Sequence, residues 1–159
     1  MGKKGREIVA ADVKVVIKAL KAAYADEWLA HYNYLHAALV ATGLNAPQVA
    51  GMLRTRAGDE LGHSQLIGER ILELGGELPS EWCGISELSK GPEFQMPKRA
   101  SDLTGILKAV LKAERHAIQT YKDLLDATMH KDPVTSELAE TLLADEVKDE
   151  EETENLLGE

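Results

Sequence analysis

Glu60-Leu61-Gly62-His63 is the stretch that decides the fold. A glutamate and a histidine three apart on a helix project from one face, so together they can grip a single metal ion. The arrangement does not stand alone. Glu27 lies thirty-three residues before Glu60, and Glu114 and Glu146 repeat that pattern at a spacing of thirty-two. Tyr34 follows Glu27 by seven, and Tyr121 follows Glu114 by seven. The chain therefore reads as two copies of one helical hairpin, each with a glutamate on its first helix and another on its second. The copies differ at one place: where the first has His63, the second has Asp149.

Working outward from the tetrad, apolar periodicity marks four long helices. From Ala11 to Thr42 a stripe of Val13, Val16, Ile17, Leu20, Ala23, Tyr24, Glu27, Ala30, Tyr34 and Ala38 recurs at three and four. Asp12 is placed to cap this helix and Gly43 to end it. Asn45 and Pro47 open a second helix that runs to Leu74, where Gly75-Gly76 stops it. Its inward stripe takes Leu53, Arg56 or Ala57, Glu60, His63 or Ser64, Ile67, Ile71 and Leu74. Residues 77–100 show no sustained period and carry Pro79, Pro92 and Pro97, which suits a crossover between the ends of a bundle, with a short helix at Ile85 to Ser89. Ser101 or Asp102 caps a third helix with Leu107, Val110, Glu114, Ala117, Tyr121, Leu124 and Thr128 in a near heptad. Asp132-Pro133 opens a fourth, with Leu138, Leu142, Leu143, Glu146 and Asp149 or Glu150 inward. The first ten residues lack a period and hold Lys3, Lys4 and Arg6, so a flexible basic arm is expected over 1–10 and one four-helix-bundle domain over 11–159.

Composition agrees with an all-α chain. Of 159 residues 44% are apolar but only 4% are aromatic, and Ala, Leu, Glu and Lys favour helix over sheet. The length suits one domain. A net charge of −9 opposes general nucleic-acid binding, since a phosphate backbone is repelled by most of such a surface. The single cysteine, Cys83, makes no internal disulfide and asks for no oxidising compartment. No apolar run is long enough to span a bilayer and no leader is evident, so a cytoplasmic location is expected.

Four glutamates on four core-facing stripes would be prohibitive in an empty core, because ionised carboxylates are costly to desolvate. Two divalent cations would balance them. Carboxylate oxygens suit iron or manganese, and imidazole adds affinity for the first-row metals. Carboxylates also bridge, holding two ions roughly 3.5 to 4 Å apart.

The segments Glu27-Trp-Leu-Ala-His-Tyr-Asn-Tyr34 and Asp59 to Gly76 resemble the ferritin-like di-iron proteins, most closely the bacterioferritin and Dps-like branch, and the Glu114 and Glu146 segments share that resemblance. It covers about Leu20 to Leu157 and implies a ferritin-like four-helix bundle with a long crossover between the second and third long helices. It further implies that Glu27, Glu60, His63, Glu114 and Glu146 bind two iron ions within one subunit, with manganese or zinc as substitutes, Glu60 and Glu146 bridging. The implied activity is ferroxidase: ferrous iron is oxidised by hydrogen peroxide or dioxygen and stored as ferric mineral, giving protection against oxidative stress. The sixth ligand, a histidine in the family, is Asp149 here, with Glu150 competing. Leu61 stands where bacterioferritin carries its haem-ligating methionine, so no haem is expected. The short stretch after Glu146 and the long crossover imply a Dps-like shell of twelve subunits. Those relatives carry a cysteine pair near the crossover where this chain has Cys83 alone.

Two other readings use the same residues. A rubrerythrin-like peroxidase or manganese catalase would share the ligands, although the chain has no rubredoxin-type cysteine cluster. A DNA-binding Dps protein would place inter-subunit iron on His31, Asp59 and His63, with Lys3, Lys4 and Arg6 touching DNA weakly. Tyr34 and Tyr121 serve as hydrogen-bond partners of the ligands, as electron carriers, or as core with a satisfied hydroxyl. His31 is a neighbour of the ligands or an ordinary half-buried histidine. His36 and His116 are expected to face outward, and His130 to answer the dipole at a helix end.

Overall fold

In the computed structural model, which describes residues 2–158, six helices and no strands are present among the described residues. They are α1 (Lys3–Glu7), α2 (Val13–Val40), α3 (Ala46–Glu73), α4 (Trp82–Leu88), α5 (Leu103–Thr128) and α6 (Pro133–Leu157). The long helices form where the sequence period places them, and their ends are chemically marked. Asp12 accepts from the Lys14 and Val15 amides, Asp102 from Gly105, and Asp132 from Thr135. Gly43 and Gly75 take positive φ, a backbone state costly for residues with a Cβ, so each turns the chain just past a helix.

Two antiparallel hairpins, α2 with α3 and α5 with α6, pack face to face, α2 against α5 and α3 against α6. The chain is therefore an all-helical bundle with a long crossover. Along that crossover the short helix begins at Trp82, earlier than the expected Ile85, because Trp82 is anchored edge-on against Trp28 and Tyr32. Pinning continues at Asp26, whose Oδ1 accepts from the Ser89 hydroxyl and the Lys90 and Gly91 amides. At the N-terminus Lys3–Glu7 form one helical turn where no regular structure was expected; Lys4 pairs with Glu7. The Ala10 amide is tied to the Lys131 carbonyl at 2.7 Å.

The core is split in two. One part gathers Val16, Leu20, Ile67, Ile71, Tyr121, Leu124 and Leu142, and the other Tyr34, Ala37, Leu53, Ala57, Ile106 and Val110. Along each long helix the glutamate sits between residues of the two parts or beside them: Leu20, Glu27, Ala37 on α2, and Ile106, Glu114, Leu124 on α5. The apolar halves hold the bundle together, and the layer between them is left to charge.

Candidate metal centre

The helical stripes turn Glu27, Glu60, Glu114 and Glu146 into this layer, where they are 3%, 2%, 1% and 1% exposed, with His63 at 7%. Three of these four buried carboxylates meet one imidazole. Nδ1 of His63 lies 3.3 Å from Glu60 Oε2, 3.3 Å from Glu146 Oε1 and 3.7 Å from Glu27 Oε2. Its Nε2 lies 3.5 Å from Oδ2 of Asp145, an exposed carboxylate.

Glu27, Glu60, His63 and Glu146 each present a ligand atom within 4.8 Å of the others, the spacing a single ion needs. Glu114 and Asp149 stand outside that group. Glu114 Oε1 accepts from the Tyr34 hydroxyl at 2.9 Å and from Arg56 at 3.0 Å, which leaves Oε2 for the interior. The matching tyrosine, Tyr121, donates to Glu27 Oε1. Both tyrosines thus orient the glutamate of the opposite hairpin, a cross-brace that the seven-residue spacing alone could not reveal.

Besides Arg56 Nε, four atoms in the layer are buried without a hydrogen-bond partner: Glu60 Oε2, His63 Nδ1, Glu114 Oε2 and Glu146 Oε1. Buried polar groups are nearly always paired, because an unmade bond forfeits the desolvation cost, so four orphans in one place ask for an occupant. All four are electron-pair donors or become so on losing a proton. A hard divalent cation fits such a donor set of carboxylate oxygens and an imidazole nitrogen.

Protonation shows the same demand. Burial, reinforced by the Glu27 charge, pushes the Glu60 carboxyl well above its usual range, and burial does the same to Glu146 and, less, to Glu114. Glu27 is also raised by burial, but hydrogen bonding with Glu60 and His63 overcomes this and holds it low. Burial favours neutral His63, yet its contacts with Glu146, Glu27 and Glu60 raise it far above an ordinary histidine. Without an ion, burial thus favours the protonated form of Glu60, Glu114 and Glu146.

The remaining sequence candidates fall elsewhere. Asp149 is half-buried with Oδ2 3.6 Å from Arg56 Nε, and Glu150 accepts from Arg115 at 2.7 Å near the surface. His31 Nδ1 lies 2.6 Å from the Ala57 carbonyl, bridging α2 to α3, and Asp59 is exposed. His36 faces outward as expected. His116 does not: it is half-buried and pairs with Asp26 at 3.2 Å. His130 lies just past α5, exposed, with φ of 62°.

Sequence reading missed two features. Arg56 is a buried cation inside a layer expected to hold few, and its role there could not be read. It lay on the stripe beside Ala57, and its partners on α6 are about ninety residues away. A cavity of about 280 Å³ also opens between α2, α5 and the crossover, lined by Asp26, Asn33, Phe94, His116 and four glutamates of the layer's surroundings and interior, Glu27, Glu60, Glu114 and Glu146. It gives small molecules a route to the carboxylates.

Comparison with known proteins agrees with this architecture. The model of the ferritin-like domain matches residues 17–159. A DNA protection during starvation protein of Pyrococcus furiosus is 32% identical over 146 residues, 92% of this chain and 78% of that one. Among solved structures, the bacterioferritin-related dodecameric thioferritin of Bacteroides fragilis superposes with a TM-score of 0.92 at 32% identity, covering 99% of this chain and 94% of that one. Dps from Listeria monocytogenes, at 14% identity, shares the fold with a TM-score of 0.84 over 91% of this chain and 94% of its own. The chain belongs to the ferritin-like domain family.

Proposed function

We propose that this protein is a Dps-like ferritin whose buried carboxylate layer is a ferroxidase centre, oxidising ferrous iron with hydrogen peroxide or dioxygen and storing the product. The observation that carries the reading is the set of four orphaned ligand atoms, Glu60 Oε2, His63 Nδ1, Glu114 Oε2 and Glu146 Oε1, on three helices, α3, α5 and α6, of one subunit. Glu27, Glu60, His63, Glu114 and Glu146 would hold two iron ions per subunit. When bound, iron supplies the redox chemistry: two ferrous ions give up one electron each, and one peroxide with two protons becomes two waters.

The chain's own residues do the rest. Glu60 and Glu146 would be the pair shared by both ions. Anionic oxygen ligands favour the higher metal charge, so the carboxylate set biases the couple toward ferric product. Burial excludes bulk water and strengthens that preference. Protons held on Glu60, Glu146 and His63 leave as iron arrives, since metal binding and protonation compete for the same atoms. Tyr34 and Tyr121 hold Glu114 and Glu27 in fixed orientations, and the cavity past Phe94 admits the oxidant.

Likeness to a dodecameric relative supports a homo-oligomer of twelve chains. No helix among the described residues is long and apolar enough to cross a membrane, in keeping with a cytoplasmic location. DNA binding would be weak, carried only by Lys3, Lys4 and Arg6 on an otherwise acidic chain.

The inter-subunit reading is less well supported: His31 is spent on the Ala57 carbonyl and His63 faces into its own bundle. The test is iron chromatography. Ferrous iron and peroxide are added to the assembled protein, and iron is followed through gel filtration. The proposal expects two ferrous ions oxidised per peroxide, with ferric iron eluting with the protein at a mass near twelve chains. Glu60→Ala should assemble but leave iron unoxidised at the centre; oxidation at the unmodified rate in that variant would overturn the reading.

A further inference from the structure

The layer carries its own cation. Arg56, 2% exposed, donates to Glu114 Oε1 at 3.0 Å, Thr153 Oγ1 at 2.6 Å, the Asp149 carbonyl at 2.5 Å and Glu152 Oε2 at 3.3 Å, with Asp149 Oδ2 3.6 Å from Nε. Thr153 Oγ1 donates in turn to the Asp149 carbonyl at 2.8 Å. The guanidinium is thus fixed against α6 from several directions. It cannot yield by losing its proton, because arginine stays charged in proteins. Only one half of the layer is affected. Glu27, Glu60, His63 and Glu146 have ligand atoms within 4.8 Å of one another, and none of them is within reach of Arg56 in a hydrogen bond or ion pair among those described.

We propose that Arg56 makes the two metal positions unequal: one divalent ion binds tightly among Glu27, Glu60, His63 and Glu146, while a second binds weakly through Glu114 Oε2 and the shared oxygens, without Asp149. This inference rests on the metal-centre reading above. The physical argument has three parts. Arg56 donates to one Glu114 oxygen and holds the Asp149 carboxylate 3.6 Å from Nε in an ion pair without a hydrogen bond, so Glu114 has a single oxygen left to offer the second position. A fixed positive charge beside that position repels an incoming cation. Yet the position is not closed, because Glu114 Oε2 is buried and has no hydrogen-bond partner. Asp149 is then a charge partner of Arg56 and not the sixth ligand. The second ion loads last and leaves first, which suits an ion that is cargo.

Manganese(II) alone, added without oxidant to the assembled metal-free protein, tests this by electron paramagnetic resonance of the free ion. Two successive affinities are expected, about tenfold or more apart, the scale on which residues next to metal ligands act. Arg56→Gln should tighten the second ion about tenfold and leave the first nearly unchanged. A structural role alone would move neither affinity. Should that variant fail to assemble, crystals of the unmodified protein with one and with excess manganese decide. One equivalent should give an anomalous peak at the His63 side, and excess should add a second while Asp149 stays on Arg56. Two equal affinities, equal peaks at one equivalent, or Asp149 turned from Arg56 onto an ion would overturn the inference while leaving the metal centre standing. Absence of any ion from Glu27, Glu60, His63 and Glu146 would instead overturn the metal-centre reading itself.

Discussion

Arg56 and Arg70 are both buried on α3, about four turns apart and 2% and 3% exposed, and their surroundings differ in one respect. Arg70 reaches Asp132 with Nη2 at 2.9 and 3.0 Å and Thr135 with Nε at 2.8 Å. Asp132, wholly buried, has both oxygens occupied, because Thr135 also donates to it through its amide and its hydroxyl. That network is closed. At Arg56 the acceptor Glu114 keeps one oxygen without a partner, and Arg56 Nε is itself unsatisfied. Burial of an arginine is therefore no sign of function in itself. The informative feature is what its acceptor leaves over: Arg70 locks the end of α3 to the start of α6, whereas Arg56 aims a carboxylate into a layer that wants a cation.

The comparison breaks most visibly at Asp132. Asp132→Ala leaves the Arg70 guanidinium buried without its bidentate partner and should lower stability by about 3–5 kcal/mol, measured by denaturant unfolding. The number of manganese ions bound by the folded fraction should not change, and adding manganese should not repair the loss. Arg56→Gln sharpens the contrast. Removing a donor from buried acceptors should cost on the order of 1–3 kcal/mol in the ion-free protein, and manganese should recover most of it, because the ion supplies the missing charge. Equal rescue of both variants, or of neither, would erase the distinction between the two arginines.

A smaller effect is expected at Tyr34. Tyr34→Phe removes one of the two donors to Glu114 Oε1 and should cost about 1 kcal/mol by thermal or denaturant unfolding, with the first ion's affinity unchanged. The smallest and most diagnostic change is with pH. Glu60, Glu114 and Glu146 have folded pKa values raised above their ordinary ones, chiefly by burial, and His63 is raised by its carboxylate contacts. Stability from raised groups is fully present below the ordinary pKa and is lost as pH rises through the folded value. Glu27, held low, runs the other way, with its contribution lost as pH falls. Three carboxyls and a histidine outweigh one carboxyl, so the ion-free protein should melt at a lower temperature at pH 8 than at pH 5.5. Manganese should cancel that decline, since fewer protons then compete for the ligand atoms. A melting temperature that rises with pH in the ion-free protein would contradict the protonated layer.

Much of this was legible before any coordinates. Glu27, Glu60, Glu114 and Glu146 could be placed because each lies on an apolar stripe, and a stripe of period 3.6 reports which side of a helix faces the core. Asp12, Asp102 and Asp132 marked helix starts because capping is a local matter of three or four residues. Arg56 was readable as core-facing but its purpose was not. Its partners Asp149, Glu152 and Thr153 come from a helix that never adjoins α3 in sequence, and the relative sliding of two such helices leaves no periodic trace. His116 escaped for the same reason: whether it faces solvent or Asp26 is set by how α5 lies on α2. The early start of α4 depends on three aromatic rings meeting across the crossover, again a contact between distant segments.

The most direct test of the account is diffraction at the iron absorption edge from crystals loaded with ferrous iron in the absence of oxygen. The account predicts an anomalous peak inside the bundle, bonded to Glu27, Glu60, His63 and Glu146 of a single subunit, with a second, weaker peak beside Glu114. Iron found only on exposed acids, or shared between subunits near His31 and Asp59 with the bundle interior empty, would contradict it.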